Sequence, residues 1–251
     1  MRPRRIRLLS ESFPDRPSFD TAVSHALLRR TSAGLGTETL RLHRPGPIVA
    51  FGRQDVAAPG YRSAVQAARR GGFEAVERLA GGRAAVFHRQ TIAFSWCIPT
   101  PTPRETISQR FGELDDVVAG GLRRLGVDAR IGEIPGEYCP GRYSVNARGE
   151  KKIMGVGQRL LRRAAHVGGV VVVAGADQVR DILVPVYRAL QLDWRPETVG
   201  SIEEEVGPVS YEKAVQALLE EVSLRHELVE GELSPAELAL AEELAPQHRA
   251  P

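Results

Sequence analysis

Apolar residues along this chain follow two patterns: short continuous runs, and positions that recur every three to four residues. The short runs are rich in valine, isoleucine and phenylalanine, which is typical of strands. The run 168–174 is nearly all valine and glycine, so we predict a buried strand there. The runs together predict strands at 6–9, 38–42, 47–51, 73–78, 84–88, 91–98, 127–131, 143–147, 152–161 and 168–174.

Helical periodicity predicts a helix capped by Ser18 that ends near Arg30, and a second helix at 61–70. A third helix follows the connection at 100–103 and places on one face Phe111, Leu114, Val118, Leu122 and Leu125. After residue 176 the pattern is mainly helical and includes the capping box at 234–237. We therefore predict an α+β protein, a mixed β-sheet with flanking helices, in which residues 1–175 form one domain and residues 176–251 form a helical C-terminal segment packed on it.

Composition narrows the class of protein. The 251 residues are 42% apolar and 26% charged, as in ordinary globular proteins. A net charge of only +3 argues against nucleic acid as a partner, and any basic surface has to be local. No apolar stretch reaches the roughly 18 residues of a membrane span. The apolar run behind the basic residues 1–5 ends at Ser10, which is too early for a signal peptide.

Cys97 and Cys139 lie far apart in the sequence and have no metal-ligand spacing. This usage predicts a reducing compartment, the cytoplasm, without a disulfide framework or a metal site. Cys97 lies inside an apolar strand, where a packing role is expected.

Lysine is rare in this chain, because only three of the 34 basic residues are lysines, and two of them are adjacent, Lys151 and Lys152. An ammonium group approaches a single oxygen closely, unlike the planar guanidinium of arginine. Lys152 is therefore a candidate functional residue. The alternative is a solvated hairpin around 148–150 with both lysines facing water.

Two glycines, Gly81 and Gly82, separate two predicted strands. A strand on both sides fits neither a P-loop nor a dinucleotide fingerprint. Glycines at this place allow the backbone to approach a ligand closely, and the flanking Arg78 and Arg83 could cradle a carboxylate or phosphate. A tight turn with solvated arginines explains the same residues. His88, in the next strand, is either a satisfied sheet histidine or a catalytic one.

The residues 78–88, with Phe94-Ser95-Trp96, resemble the glycine-rich signature of the lipoate-protein ligase A and octanoyltransferase family. The residues 152–158, Lys-Ile-Met-Gly-Val-Gly-Gln, resemble its second signature, and shorter similarities occur at 51–54, 166–173 and 198–202. The chain departs from the family at Glu77, at Ala80 and in the position of His88.

The resemblance implies the catalytic-domain fold of the biotin/lipoate protein ligase superfamily, which is similar to class II synthetases. It implies an acyl chain in a tunnel between the glycine loop and the lysine strand, and Lys152 bonded to the acyl carbonyl or to an acyl-phosphate oxygen. The expected catalytic residues are Lys152 and Cys139. The expected substrate-binding residues are Arg78, Gly81, Gly82, Arg83, His88, Gly155 and Gln158.

Two mechanisms fit this resemblance. A transferase would take an octanoyl or lipoyl group from acyl carrier protein onto the Cys139 thiolate and deliver it to a lysine of a carrier. A ligase would use ATP and Mg²⁺ to form an acyl-adenylate first. Both would modify lipoyl domains of 2-oxoacid dehydrogenases or the glycine cleavage H protein, without a permanently bound cofactor. We favour the transferase; a ligase, or a non-catalytic relative that binds lipoate or the carrier, stays as an alternative.

Overall fold

Two β-sheets organise residues 3–251, the part of the chain that the computed structural model describes. The strands are β1 (Arg5–Leu9), β2 (Thr39–His43), β3 (Ile48–Phe51), β4 (Glu74–Glu77), β5 (Ala85–Phe87), β6 (Thr91–Pro99), β7 (Ala129–Ile131), β8 (Val145–Ala147), β9 (Lys151–Leu161), β10 (Ala164–Val172) and β11 (Glu227–Glu230). The larger sheet has the order β11-β1-β2-β6-β10-β9-β8-β7, and the smaller sheet has the order β4-β3-β5. Met1 and Arg2, where the first predicted domain begins, lie outside the described residues.

Helices cover both faces of the larger sheet. They are α1 (Pro17–Ser32), α2 (Arg53–Val56), α3 (Tyr61–Arg70), α4 (Ile107–Arg124), α5 (Ala176–Ala189), α6 (Ile202–Val206), α7 (Tyr211–Ser223) and α8 (Pro235–Leu244), with 3₁₀ turns at Pro196–Thr198 and Ala245–His248. Successive residues of a strand point to opposite faces. Trp96 accordingly joins the core under α4 and α7, while Cys97 joins the core under α1 and α8.

A third core lies between the smaller sheet and the helices α3 and α5. It includes Tyr138 and Tyr187, and its edge is where the loop between β7 and β8 meets the glycine loop between β4 and β5. The candidate site forms at this junction between the two sheets.

The predicted α+β class, with a mixed sheet and flanking helices, is confirmed. Antiparallel β9 and β10 pair along their length, with Met154 opposite Val171 and Leu161 opposite Ala164. The predicted valine strand is the buried strand β10, and its faces are covered by different cores: Val171 joins the core under α4 and α7, and Val172 joins the core with α3 and α5. The capping box of α8 is also confirmed, since the Ser234 side chain accepts a hydrogen bond from the Glu237 backbone N–H.

Three features differ from the sequence-based expectation. Ser18 is not a cap, because α1 begins at Pro17 behind an N-cap at Arg16, and proline suits the first helical position. The strand predicted at 143–147 is shorter, since β8 begins only at Val145. The C-terminal segment is mainly helical, yet it also contributes β11, which pairs in parallel with β1 at the edge of the larger sheet.

None of the helices described between residues 3 and 251 combines the length and the apolar character needed to cross a bilayer.

Candidate active site

Lys152 lies at the start of β9, opposite Asn146 of β8, and its side chain is only 1% exposed. Its ammonium group donates three hydrogen bonds, to Glu137 Oε1 at 2.8 Å, to the Tyr138 carbonyl at 2.9 Å and to the Cys139 carbonyl at 2.8 Å. The ammonium also lies 4.9 Å from the centre of the Tyr138 ring. An ammonium has three donors, so all of them are bound to one loop.

That loop connects β7 to β8, and Glu137 holds it together. One carboxylate oxygen accepts hydrogen bonds from Lys152, from Ser144 Oγ at 2.6 Å and from the Gly141 N–H at 3.1 Å. The other oxygen accepts from the Ile134 N–H at 3.1 Å. Glu137 is buried, and these partners offset the loss of hydration that a buried carboxylate suffers.

Cys139 stands at the tip of the loop in a left-handed backbone conformation, with φ +44°. Non-glycine residues adopt this conformation rarely, because it crowds the side chain against the backbone. The Cys139 N–H donates to the Tyr187 hydroxyl at 2.9 Å, and the carbonyl is held by Lys152. The loop therefore fixes the backbone of Cys139 from both sides.

The Cys139 sulfur faces positive groups. It accepts a hydrogen bond from the Arg83 N–H at 3.2 Å and a longer one from Arg78 Nη2 at 3.5 Å. Burial alone would raise the pKa of the Cys139 thiol, but the charges of Arg78 and Lys152 and the Arg83 N–H outweigh it and lower the pKa below its ordinary value. Cys139 is half-buried as a residue, whereas Cys97 is fully buried.

The two glycines of the β4–β5 loop differ in surroundings. Gly82 has φ +103°, and a Cβ there would lie 2.0 Å from Arg78 Nη2 and 2.8 Å from the Cys139 sulfur. A Cβ at Gly81 would meet no atom of the described chain within 4 Å. Gly82 thus lets the backbone approach the cysteine, while Gly81 borders open space at the surface.

A cavity of about 90 Å³ with mainly apolar walls has Arg78 among its lining residues. The walls come from α1, from the strands β2, β3, β5, β6 and β10, from Pro45 just after β2 and from the start of the glycine loop. Arg78 thus contacts the Cys139 sulfur and also lines the cavity. Three lining residues carry a buried nitrogen that has no hydrogen-bond partner within residues 3–251, at Arg78 Nε, His43 Nδ1 and His166 Nδ1.

The predicted site residues are partly brought together. Arg78, Gly82 and the Arg83 backbone surround the Cys139 sulfur, and Gly155 lies against the Lys152 side chain, since a Cβ there would be 3.3 Å from Lys152 Cε. Among the residues that line this cavity are three from β10 and none from β9 in the described part of the chain, and the tunnel between the glycine loop and the lysine strand stays a prediction.

Two predicted residues have other partners. The Gln158 side chain accepts from Arg110 Nε at 3.0 Å and donates to the Ile107 carbonyl at 2.9 Å, so it anchors α4. His88 is buried at the turn after β5, where burial lowers its pKa to about 4 and its Nδ1 accepts from the Gln90 N–H. The cavity lining includes Phe87 but not His88. Binding roles for Gln158 and His88 stay predictions.

Sequence reasoning missed four residues that build the site: Glu137, Ser144, Asp55 and Tyr187. Asp55 accepts from the Gly52 N–H at 2.9 Å and from Arg83 Nη1 at 3.3 Å, which secures the glycine loop. A glutamate two residues before a cysteine, in a loop rich in proline and glycine, was the one available signal.

Comparison with known proteins gives a family match over most of the chain. Residues 16–223 match the family description "Lipoyl protein ligase A/B catalytic domain". Among curated relatives, an octanoyl-GcvH:protein N-octanoyltransferase of Geobacillus kaustophilus is 29% identical over 172 residues, which are 67% of this chain and 60% of the relative. An enzyme of the same name from Bacillus velezensis is 26% identical over 239 residues, which are 88% of this chain and 83% of the relative. The chain spans 60% to 63% of the length of the first three such relatives.

Solved structures show the same fold. A lipoate-protein ligase A bound with ATP superposes with a TM-score of 0.79 at 24% identity, over 98% of this chain and 95% of that chain. A bi-partite lipoate protein ligase from Thermoplasma acidophilum superposes with a TM-score of 0.73 at 22% identity, over 98% of this chain and 93% of that chain. These likenesses concern the fold.

Proposed function

Because the chain belongs to the lipoyl protein ligase A/B catalytic domain family, we propose that it is a protein N-octanoyltransferase that works through a thioester on Cys139. The acyl group is octanoyl or lipoyl, and the acceptor is a lysine of a lipoyl carrier domain. The proposal rests chiefly on one observation, the position of the Cys139 sulfur between the Arg83 N–H and Arg78, a residue that also lines an apolar cavity.

The cysteine environment suits a nucleophile. A thiolate attacks and a thiol does not, so the positive groups around the sulfur, which lower its pKa, raise the reactive fraction at neutral pH. Cys97 offers the contrast within the same chain, since burial raises the pKa of its thiol to about 12 and its sulfur is inaccessible. A thioester is expected on Cys139 alone.

The chemistry proceeds in two acyl transfers. The thiolate of Cys139 adds to the carbonyl carbon of the octanoyl-lysine amide on the donor, the C–N bond breaks, and the donor lysine leaves as an amine after taking up a proton. A neutral lysine amine of the acceptor then adds to the thioester carbonyl, the C–S bond breaks, the thiolate returns, and the new amide nitrogen loses a proton. One amide replaces another, so no nucleotide is consumed.

The acyl donor that we propose differs from the donor predicted from the sequence, because of the curated relatives. These relatives are named for octanoyl-GcvH, in which GcvH is the glycine cleavage H protein, whereas the sequence led us to expect acyl carrier protein as donor. We propose the octanoylated H protein as donor. The acceptor is an E2-type lipoyl domain, in line with the E2 lipoyl domain that accompanies the T. acidophilum ligase.

Lys152 supports this reaction by holding the β7–β8 loop that carries Cys139. Its three donors hold Glu137 and the carbonyls of Tyr138 and Cys139, and its charge helps to stabilise the thiolate. The apolar cavity binds the acyl chain, and Arg78 connects it to the nucleophile, because Arg78 lines the cavity and its Nη2 lies 3.5 Å from the Cys139 sulfur.

A transfer assay tests the proposal. The protein is incubated with octanoylated H protein and an unmodified lipoyl domain, without nucleotide, and both carriers are weighed by mass spectrometry. We expect the octanoyl group to move to the lipoyl domain with the wild type and with Cys97→Ala, and not with Cys139→Ala. Equal transfer by Cys139→Ala would overturn the thioester.

The same experiment separates the ligase alternative. With octanoate and ATP in place of the octanoylated donor, a ligase would modify the lipoyl domain and exchange pyrophosphate into ATP. We expect neither with this chain. A non-catalytic relative would give no modified carrier with any of these donors.

A further inference from the structure

Glu137 is the most highly connected buried carboxylate of the site. Among the described residues it accepts hydrogen bonds from the Ile134 N–H, the Gly141 N–H, the Ser144 hydroxyl and the Lys152 ammonium, at 2.6–3.1 Å. These donors come from the beginning of the loop, from its end and from strand β9. A single carboxylate therefore closes the loop on itself and ties it to the larger sheet.

Cys139 lies inside the closed part of this loop. Its carbonyl is bound by the same Lys152 ammonium that Glu137 holds, and its φ of +44° is one that an unrestrained cysteine rarely adopts. Such a backbone conformation persists only where the surroundings enforce it. The enforcing contacts are the Glu137–Lys152 pair on one side and the Tyr187 hydroxyl on the other.

We propose that Glu137 is a positioning residue for Cys139, which keeps the sulfur beside the Arg83 N–H and Arg78 by closing the loop from Ile134 to Ser144. This inference rests on the proposed thioester function but concerns a residue that never touches the acyl group. Glu137 acts through Lys152 and through the loop backbone.

The proposal predicts that removing Glu137 raises the pKa of the Cys139 thiol, which is the opposite of what the loss of a negative charge would do alone. The charged groups that act on the Cys139 sulfur are Arg78 and Lys152, and its neighbours Tyr138 and Tyr187 are neutral. Deleting a nearby negative charge should, by electrostatics alone, lower the pKa of a thiol further. If Glu137 positions the sulfur, its loss instead releases Cys139 from Arg78 and the Arg83 N–H, and the pKa rises towards its ordinary value.

The experiment measures how the rate of Cys139 alkylation by iodoacetamide depends on pH, in the wild type and in Glu137→Ala. Both proteins also carry Cys97→Ala, so that Cys139 is the thiol that is alkylated. The midpoint is the pH at which Cys139 is alkylated at half its maximal rate. We expect Glu137→Ala to move this midpoint to higher pH, and alkylation at neutral pH to slow by about tenfold for each pH unit of that rise. Octanoyl transfer should lose kcat and keep the KM for the acceptor. A midpoint that stays in place or falls would overturn the proposal.

Two further variants complete the test. Glu133→Ala removes an exposed glutamate four residues earlier in the same loop and should leave the midpoint unchanged. Ser144→Ala removes one of the four donors to Glu137 and should raise the alkylation midpoint by a smaller amount. If Glu137→Ala does not fold, the midpoint of Ser144→Ala tests the proposal, and an unchanged or lower midpoint would overturn it. Alkylation needs no acyl substrate, so its result is independent of whether the wild type transfers octanoyl groups.

Discussion

Replacing Lys152 by methionine is expected to destabilise the protein, although the sequence alone presents this lysine as a catalytic group. The Lys152 ammonium and the Glu137 carboxylate are 1% and 0% exposed and lie 2.8 Å apart. Removing one partner of such a pair leaves the other charge buried without compensation, which costs about 3–5 kcal/mol. The carbonyls of Tyr138 and Cys139 lose their donor in the same variant.

Urea unfolding measures this loss, and the neighbouring lysine provides the control. Lys151 is partly exposed and its ammonium donates to the Glu197 carbonyl at the surface, so Lys151→Met should cost no more than about 1 kcal/mol. The double variant Lys152→Met/Glu137→Gln removes both charges and should be more stable than Lys152→Met, because no uncompensated charge remains. A Lys152→Met variant as stable as Lys151→Met would refute the structural role of the pair.

Three further predictions concern the cysteine environment and pH. Gly82→Ala should lower octanoyl transfer by about tenfold or more, because the added Cβ overlaps Arg78 and Cys139, while Gly81→Ala, which meets open space, should retain activity. Arg78→Met should raise the pKa of Cys139, which slows its alkylation at neutral pH, and an unchanged alkylation profile would contradict the assigned cause. Because burial lowers the pKa of His88 to about 4 from 6.5, the unfolded chain binds more protons between these values; stability should fall as pH falls through this window, and His88→Gln should flatten the slope measured by urea unfolding.

Much of the fold could be predicted from local pattern. The β-branched run of β10 predicts a buried strand because such residues pack well on a pleated surface, and the helical face of α4 follows from its period. Strand β11 could not be predicted in this way, because Glu227–Glu230 offers only two apolar residues between charged ends, and its pairing with β1 joins residues more than 200 positions apart. The prediction of Ser18 as the N-cap of α1 was wrong, because Pro17, which suits the first helical position, begins the helix one residue earlier.

In the candidate site, too, contacts between residues distant in the sequence could not be predicted. Lys152 and Cys139 were predicted from rarity, loop composition and the family resemblance, and the structure brings them together. The role of Glu137 could not be predicted, because it arises from contacts that converge from both ends of a loop and from a strand. The division at residue 175, the cytoplasmic location and the absence of a nucleic-acid partner stay predictions.

The thioester on Cys139 is the central claim, and trapping it is the most direct test. The protein is mixed with octanoylated H protein alone, quenched in acid and weighed intact. The account predicts a mass increase of one octanoyl group that hydroxylamine removes, that maps to the peptide containing Cys139, and that is absent in Cys139→Ser but present in Cys97→Ala. Octanoyl transfer to a lipoyl domain without any such adduct, and undiminished in Cys139→Ser, would contradict it.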